Sequence, residues 1–297
     1  MRFALKSAVL LLCVPGVGLA FNNFQNPAQS ASALGVVGAG VAASTTDPDV
    51  AFYNPASMSY FKGQDASFSL IGLADSSHFK GSMTPSPAVS NFNTSGTAQG
   101  GYFEPLYAIM YVAPINNKWA FGVSISQPYS LSLDYGSGGV TRYASTTENF
   151  YMMNFGPSLS YKPTKSLSFG LGFDVAYAAM RFDKMNFSGT TSNDSKRKLY
   201  SNDWGYGYHL GMLWKASSKT VLGLSYRSRM AINFRGNDRV TGPLGYTRTR
   251  FKSDLTLPPV ALLSLQQQLA DRWALLGSVA FTQYSDMDKW VLQDRAS

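Results

Sequence analysis

The 297-residue chain carries a net charge of +8, yet only 14% of its residues are charged while 45% are hydrophobic and 14% aromatic. So few charges exclude an ordinary soluble surface, and past the N-terminus no apolar run approaches the length of about 18 residues that a spanning helix needs. The Lys and Arg residues are scattered along the chain instead of forming a run, which excludes nucleic acid as the partner.

Residues 1–20 read as a secretory signal: Arg2 and Lys6 precede the apolar run 8–12, and Gly18-Leu19-Ala20 is a small-residue exit. The mature chain is expected to begin at Phe21. The one cysteine, Cys13, lies inside the signal, and Leu12 before it is not the small residue a lipoprotein signal requires, so neither disulfide nor lipid anchor is expected. Residues 21–62 do not alternate. A run of Ala, Gly, Ser and Val over 29–44 leads into Thr46-Asp47-Pro48-Asp49 and then Asn54-Pro55-Ala56-Ser57-Met58. Gly35, Gly38 and Gly40 are not a phosphate loop, because no strand precedes them and no Gly-Lys-Ser/Thr follows. Small residues instead suit compact folding inside a narrow lumen, as a plug.

From Trp119 the chain alternates, with Phe121, Val123, Ile125, Tyr129, Leu131 and Leu133 on one face and Gly122, Ser124, Ser126, Ser130 and Ser132 on the other. That is a strand with one oily face and one small, polar face. The pattern returns over 151–161, where Tyr151, Met153, Phe155, Leu159 and Tyr161 oppose Asn154, Gly156, Ser158 and Ser160, and over 167–177, where Phe169, Leu171 and Phe173 oppose Gly170, Gly172 and Asp174. Over 204–214 the oily face begins and ends in Trp204 and Trp214, as expected where a lipid-facing strand crosses both interfaces. Over 222–235, Leu222, Leu224, Tyr226, Met230, Ile232 and Phe234 are expected towards lipid, with Ser225, Arg227, Arg229, Asn233 and Arg235 towards the lumen. Less regular strands near 65–73, 104–113, 258–269 and 273–284 bring the number to about nine.

Strands of about 12 to 18 residues are long for a soluble sandwich, whose strands run about five or six. A bilayer accepts only helices or closed barrels, because every backbone polar group must be paired there. The fold class is therefore all-β: a transmembrane antiparallel β-barrel over 63–297, in a Gram-negative outer membrane among lipid and lipopolysaccharide, with residues 21–62 as a hatch in its lumen. Connections at 116–118, 163–166, 216–219 and 270–272 are tight, whereas 74–102, 136–147, 186–202 and 236–256 are longer and polar, the pattern of short periplasmic turns opposite long outer loops. Nine is odd and bacterial single-chain barrels close with even numbers, so C-terminal strands are expected to be missing from this sequence. His78 falls on a loop, and His209 has no Ser or carboxylate at a motif spacing; with no His pair and no mature Cys, neither an enzyme, a cofactor nor a metal is expected.

The Gly/Ala segment over 30–44, Asp47-Pro48, Asn54-Pro55-Ala56, Ala113-Pro114-Ile115-Asn116, Ser168-Phe169-Gly170-Leu171-Gly172-Phe173, Trp204-Gly205-Tyr206-Gly207, Leu224-Ser225-Tyr226-Arg227-Ser228 and Leu255-Thr256-Leu257-Pro258 occur in order between Phe21 and Trp290. Together they resemble the FadL/TodX family of outer-membrane long-chain fatty acid and hydrocarbon transporters. The resemblance implies a barrel of about 14 strands, an N-terminal hatch closing its periplasmic side, and energy-independent passage of a hydrophobic small molecule with lateral release. It assigns Phe21, Phe24, Asn54, Pro55 and Ala56 to the hatch and gate, and a kink of the third strand, opening a lateral gap, to Pro128, Tyr129 and Ser130. Pro128 carries a reason of its own, since proline cannot donate to a ladder and interrupts a strand. A monomer is expected. Fatty acids and aromatic hydrocarbons both stay open as ligands, and a nonspecific porin or an adhesin is the alternative class. A porin, however, would have no plug.

Residues 21–297 folded into detergent are expected to give no compact, heat-resistant species on electrophoresis, because open sheet edges cannot sit in lipid. The mobility shift of an intact barrel would refute the reading that strands are missing.

Overall fold

The computed structural model describes residues 24–26, 28–84, 94–243, 245–287 and 292–295; residues 1–20, where a signal is expected, and Phe21 lie outside them. Thirteen strands form one antiparallel sheet: β1 (Asp65–Met83), β2 (Thr94–Pro114), β3 (Trp119–Ser126), β4 (Ser130–Asp134), β5 (Thr147–Tyr161), β6 (Leu167–Asn186), β7 (Ser195–Lys215), β8 (Thr220–Arg227), β9 (Met230–Gly242), β10 (Gly245–Leu257), β11 (Val260–Ala270), β12 (Trp273–Thr282) and β13 (Leu292–Arg295). Four pairs continue one another along shared neighbours: β3 with β4, β8 with β9, β10 with β11 and β12 with β13. Thirteen strands therefore make nine long runs across the wall, the number expected from alternation. Among the described residues no helix is long and apolar enough to cross a membrane.

The runs extend further than hydropathy indicates. Residues 74–102, 186–202 and 236–256, which read as loops, are largely strand: β1 and β2 pair out to Met83↔Thr94, β6 and β7 to Asn186↔Ser195, and β9 and β10 to Gly242↔Gly245. Beyond the bilayer both faces of a strand meet water, so apolar alternation disappears while the ladder continues.

Residues preceding β1 form short helical pieces: α1 (Ala31–Gly35), a 3-10 turn at Val41–Ala43, α2 (Val50–Tyr53) and a second 3-10 turn at Pro55–Tyr60. The local sequence dictates their starts. Ser30 Oγ accepts from Ala33 N at 3.0 Å to cap α1, and Asn54 caps the last turn with Pro55 at its first position, where the missing N–H costs nothing. The segment then bonds to strands across the whole sheet. Ala31 N donates to Ser69 Oγ on β1 (3.1 Å), Ala42 N to Ser264 Oγ on β11 (3.2 Å), and Gly40 N to Ser278 Oγ on β12 (2.9 Å). A short segment that reaches both ends of the strand path requires the sheet to curl around it, and this fixes which face is inside.

That inner face is stripped of bulk where the segment lies. A Cβ on Gly170 would strike the backbone of Pro55 and Ala56, and one on Gly223 the backbone of Ala42. The outer face exposes Phe121, Phe155, Phe169, Leu171, Phe173 and Tyr206. Trp204 and Trp214 lie ten residues apart on β7, a rise of about 33 Å along the strand and so about 25 Å along the membrane normal at the usual tilt, the height of a lipid-facing band.

Two interruptions change which side chains point inward. Between β3 and β4 the register against β5 slips by one residue, from Ser126↔Asn154 to Ser130↔Tyr151. Between β8 and β9 the register against β7 slips likewise, from His209↔Arg227 to Tyr200↔Asn237. One extra residue inverts every following side chain. Leu131 consequently sits opposite inward Phe150, and Tyr129 is buried, in place of the lipid-facing positions that unbroken alternation gives them. Met230, Ile232 and Phe234 turn inward as well, while Asn233 and Arg235 are exposed on the outer wall, the reverse of the expectation for 230–235.

Arginine in place of Phe121, Phe169 or Leu171 is expected to cost about 2–4 kcal/mol near mid-bilayer, read as a lower unfolding midpoint in lipid vesicles; the same substitution at Arg-tolerant outer position Asn233 is expected to be near neutral. Gly170→Val is expected to leave the wall in place but expel the N-terminal segment, seen as rapid protease cleavage within 24–62 at unchanged membrane insertion.

Candidate functional site

Above the N-terminal segment the interior becomes apolar. On β5 the inward series runs from Ser160, Ser158, Gly156 and Asn154 to Met152 and Phe150, and on β6 from Gly170, Gly172 and Asp174 to Ala176, Ala178 and Met180. With Leu199, Met230, Ile232, Phe234, Phe251, Leu255 and Leu257, these upper residues surround Phe24 and Tyr129 in one buried cluster. The Phe24 ring packs in tilted contact with Phe150 and Tyr129, at centroid distances of 4.7 Å and 5.5 Å. Both register slips deliver members of this cluster, which alternation alone had placed outside.

Pro128 lies at the edge of the same cluster. Among the described residues β4 pairs with β5 only, and β3 meets β2 only from Ile109 to Pro114, so β2 and β4 share no ladder. The groups left over are satisfied in two ways. Gln127 Oε1 accepts from Tyr107 N at 2.8 Å, replacing a strand with a side chain. The N-terminal segment supplies the rest: Asn26 N donates to Pro128 O (2.9 Å), Ser130 N donates to Phe24 O (3.0 Å), and Asn26 Nδ2 donates to Gln127 O (2.7 Å) and Ser130 Oγ (3.1 Å). Residues 24–26 thus act as a short added strand on the broken one. Asn26 was not singled out from sequence, and nothing in its spacing marks it; the need for a partner beside Pro128 does.

Asn54, Pro55 and Ala56 sit elsewhere, packed against β5, β6 and β7. Asn54 Nδ2 donates to Ala42 O (2.6 Å) and to Met212 O on β7 (3.0 Å), its Oδ1 accepts from Ala56 N (3.1 Å), and Ala56 O accepts from Ser160 Oγ (3.0 Å) and Ser168 Oγ (2.8 Å). The two groups are linked through the segment itself. Tyr53 Oη accepts from Gln29 N (2.8 Å), and Gln29 Nε2 donates to Asn26 O (3.0 Å). Beside this link Asp49 is buried, its Oδ2 accepting from Ser30 Oγ at 2.8 Å. Burial first, and then the nearby Asp47 carboxylate, push Asp49 up to about 7. Its ionisation therefore costs packing stability progressively between its ordinary 3.8 and about 7, with the cost constant above.

A charged network joins the segment to the wall. His209 Nδ1 lies 2.9 Å from Asp174 Oδ2 and its Nε2 2.7 Å from Ser158 Oγ; Asn154 Nδ2 donates to Asp174 Oδ1 at 2.8 Å, and Arg227 forms an ion pair with the same carboxylate. Arg227 also donates to Phe52 O at 3.1 Å and lies over the Phe52 ring at 4.2 Å. Sheet register brings together a Ser, a His and an Asp that no linear motif connects. The signal was present in parity: Asp174, His209 and Arg227 all occupy inward positions on neighbouring runs, where each needs a partner. Ser158 is buried and Asp174 is committed to Arg227, so the cluster ties Phe52 and its neighbours to β6, β7 and β8.

Comparison with known proteins agrees with this architecture. The family model described as outer membrane protein transport protein (OMPP1/FadL/TodX) matches residues 13–296. The long-chain fatty acid transport protein of Salmonella typhi is 25% identical over 321 residues, covering 97% of this chain and 71% of that protein. Outer membrane protein P1 of Haemophilus influenzae is 26% identical over 328 residues, covering 96% and 70%. A Pseudomonas aeruginosa FadL homologue shares the fold at TM-score 0.79 with 19% identity, over 91% of this chain and 72% of that one, and the Pseudomonas putida toluene transporter TodX at 0.66 with 16% identity, over 84% and 69%. The apolar-lined, curled wall described above is accordingly that of an outer-membrane transport β-barrel, and the chain belongs to the OMPP1/FadL/TodX family.

Proposed function

We propose that the protein admits long-chain fatty acids, or molecules of similar apolar chemistry, across the outer membrane without an energy source, with residues 21–62 as a hatch and the break at Pro128 as a lateral exit. The observation that carries this reading is the meeting of the buried apolar cluster with the stretch of wall where β2 and β4 share no ladder. Each CH₂ moved from water into such a lining contributes about 0.8 kcal/mol, so an acyl chain is captured strongly by burial alone. Release then requires the lining to change shape. Phe24 is part of the lining and residues 24–26 also close the broken strand, so one displacement would both disturb the chamber and open the wall. Asn54-Pro55-Ala56 and the Arg227–Phe52 contact would anchor the far end of the moving part. The similarity to a long-chain fatty acid transport protein supports this ligand class. Aromatic hydrocarbons are the second reading, favoured by the rings of Phe24, Tyr129, Phe150 and Phe234 in the cluster.

The test is uptake of radiolabelled oleate by cells lacking their own transporter, at equal surface expression. Deletion of residues 54–56, and Pro128→Val combined with Ser130→Val to restore a regular ladder, are each expected to lower uptake about tenfold, the scale of roughly 1.4 kcal/mol, while membrane insertion stays normal. Unchanged uptake in both would remove the hatch-and-exit reading. Toluene uptake retained where oleate uptake is absent in the wild type would move the ligand to the second class.

A further inference from the structure

Cationic residues that are scattered in the sequence converge on one patch of the outer wall. Lys198 on β7 lies directly opposite Arg239 on β9, and Arg239 directly opposite Arg248 on β10. A second row places Arg235 opposite Lys252, and Arg250 lies between the rows opposite Asn237. Leu199, Asp238 and Phe251 are buried inward, so their neighbours Lys198, Arg239, Arg250 and Lys252 project outward. Lys198, Arg235, Arg239, Arg248 and Arg250 are exposed.

Like charges directly opposed across a sheet are destabilising, and little within the protein relieves them. Arg248 Nε donates to Asn237 Oδ1 at 3.0 Å, and Lys252 Nζ meets Asp254 Oδ2 at 2.9 Å. Among the described residues no carboxylate pairs with Lys198, Arg239 or Arg248. An external polyanion is the missing counterpart. The height of the patch selects which one. Tyr200 and Trp204 are exposed on the same outer face of β7, two and six residues below Lys198. Aromatic residues of this kind mark the membrane interface, and two residues are about 7 Å of strand. The cations therefore stand at headgroup level, on the end of the wall away from the tight turns, where the neighbouring molecules are outer-leaflet lipids. Guanidinium forks match phosphate oxygens bidentately, and a headgroup whose phosphates carry no ammonium of their own leaves that charge for the protein, which favours a net-anionic phosphate headgroup over a zwitterionic one.

We propose that the outer surface of β7, β9 and β10 around Lys198, Arg239 and Arg248 is a binding site for the phosphates of lipopolysaccharide lipid A. Protein inserted in the outer membrane by cells, then extracted in detergent and stripped of lipid, would be titrated with bisphosphorylated lipid A, with dephosphorylated lipid A and with pyrophosphate, reading the rise in unfolding temperature. Bisphosphorylated lipid A is expected to stabilise the wild type, and the Arg239→Gln/Arg248→Gln protein to bind it about 30-fold more weakly, at roughly fivefold for each cation near an anionic surface. Arg248→Gln alone is expected to show about a fivefold loss, a check if the double variant folds poorly, and Lys165→Gln at the opposite rim is expected to bind as the wild type does. Without lipid, the double variant should unfold no earlier than the wild type, since it removes a repulsive pair. Undiminished binding by the double variant, equal binding of dephosphorylated lipid A, or binding of pyrophosphate as tight as that of lipid A would overturn the proposal.

Discussion

A wall surrounded by lipid must pair every main-chain N–H and C=O within the protein, because no water is there to do so. At Gln127-Pro128-Tyr129 this requirement is not met by neighbouring strands, and the rest of the structure is arranged around how it is met instead. The Gln127 side chain serves Tyr107 on one side, and residues 24–26 serve Pro128 and Ser130 on the other. The N-terminal segment is therefore a component of the wall's hydrogen bonding as well as an occupant of the interior. Its own fixing by Asn54, Ala56 and Phe52 keeps residues 24–26 within reach of the break.

The second consequence of interrupting a strand is a change of face. One extra residue at 127–129 and one at 228–229 turn Leu131 and then Met230, Ile232 and Phe234 to the inside. At the second break Ser228 patches the ladder as Gln127 does at the first, its N–H donating to Tyr208 O and its Oγ accepting from Tyr208 N, both at 2.9 Å. Unbroken β5 and β6 reach the same end by composition, passing from Ser and Gly to Met, Ala and Phe along their inward positions. Two mechanisms thus convert a polar, close-packed lower interior into an apolar upper one at one level.

Most of the wall was legible because a lipid-facing strand writes its face into the sequence: Phe121, Phe155, Phe169 and Tyr206 alternate with Gly122, Gly156, Gly170 and Gly205, and all lie as alternation places them. Legibility failed where lipid stopped or the ladder slipped. The upper halves of β1, β2, β9 and β10 rise above the hydrocarbon, where neither face has to be apolar, and carry no periodic hydropathy signal. Beyond Tyr129 and Ser228, reading straight through a bulge inverted the faces. The Ser158–His209–Asp174 grouping was hidden for a different reason, since the three residues are 51 and 35 positions apart and meet only through sheet register. Phe24, Asn54 and Ala56 could be singled out, whereas Asn26, their neighbour in action, is an ordinary surface residue type that acquires importance only from Pro128.

The Asn26 side chain supplies part of the attachment of residues 24–26 to the broken strand; the rest is main-chain, Ser130 N donating to Phe24 O and Asn26 N to Pro128 O. Such bonds do not depend on which side chain each residue bears. Position 24 is consequently free to vary in size and shape without loosening the seam, even though its side chain fills part of the chamber. If the cluster holds cargo as proposed, closure and cargo preference would be separable traits, because a substitution at 24 would reshape the chamber and leave these main-chain bonds in place.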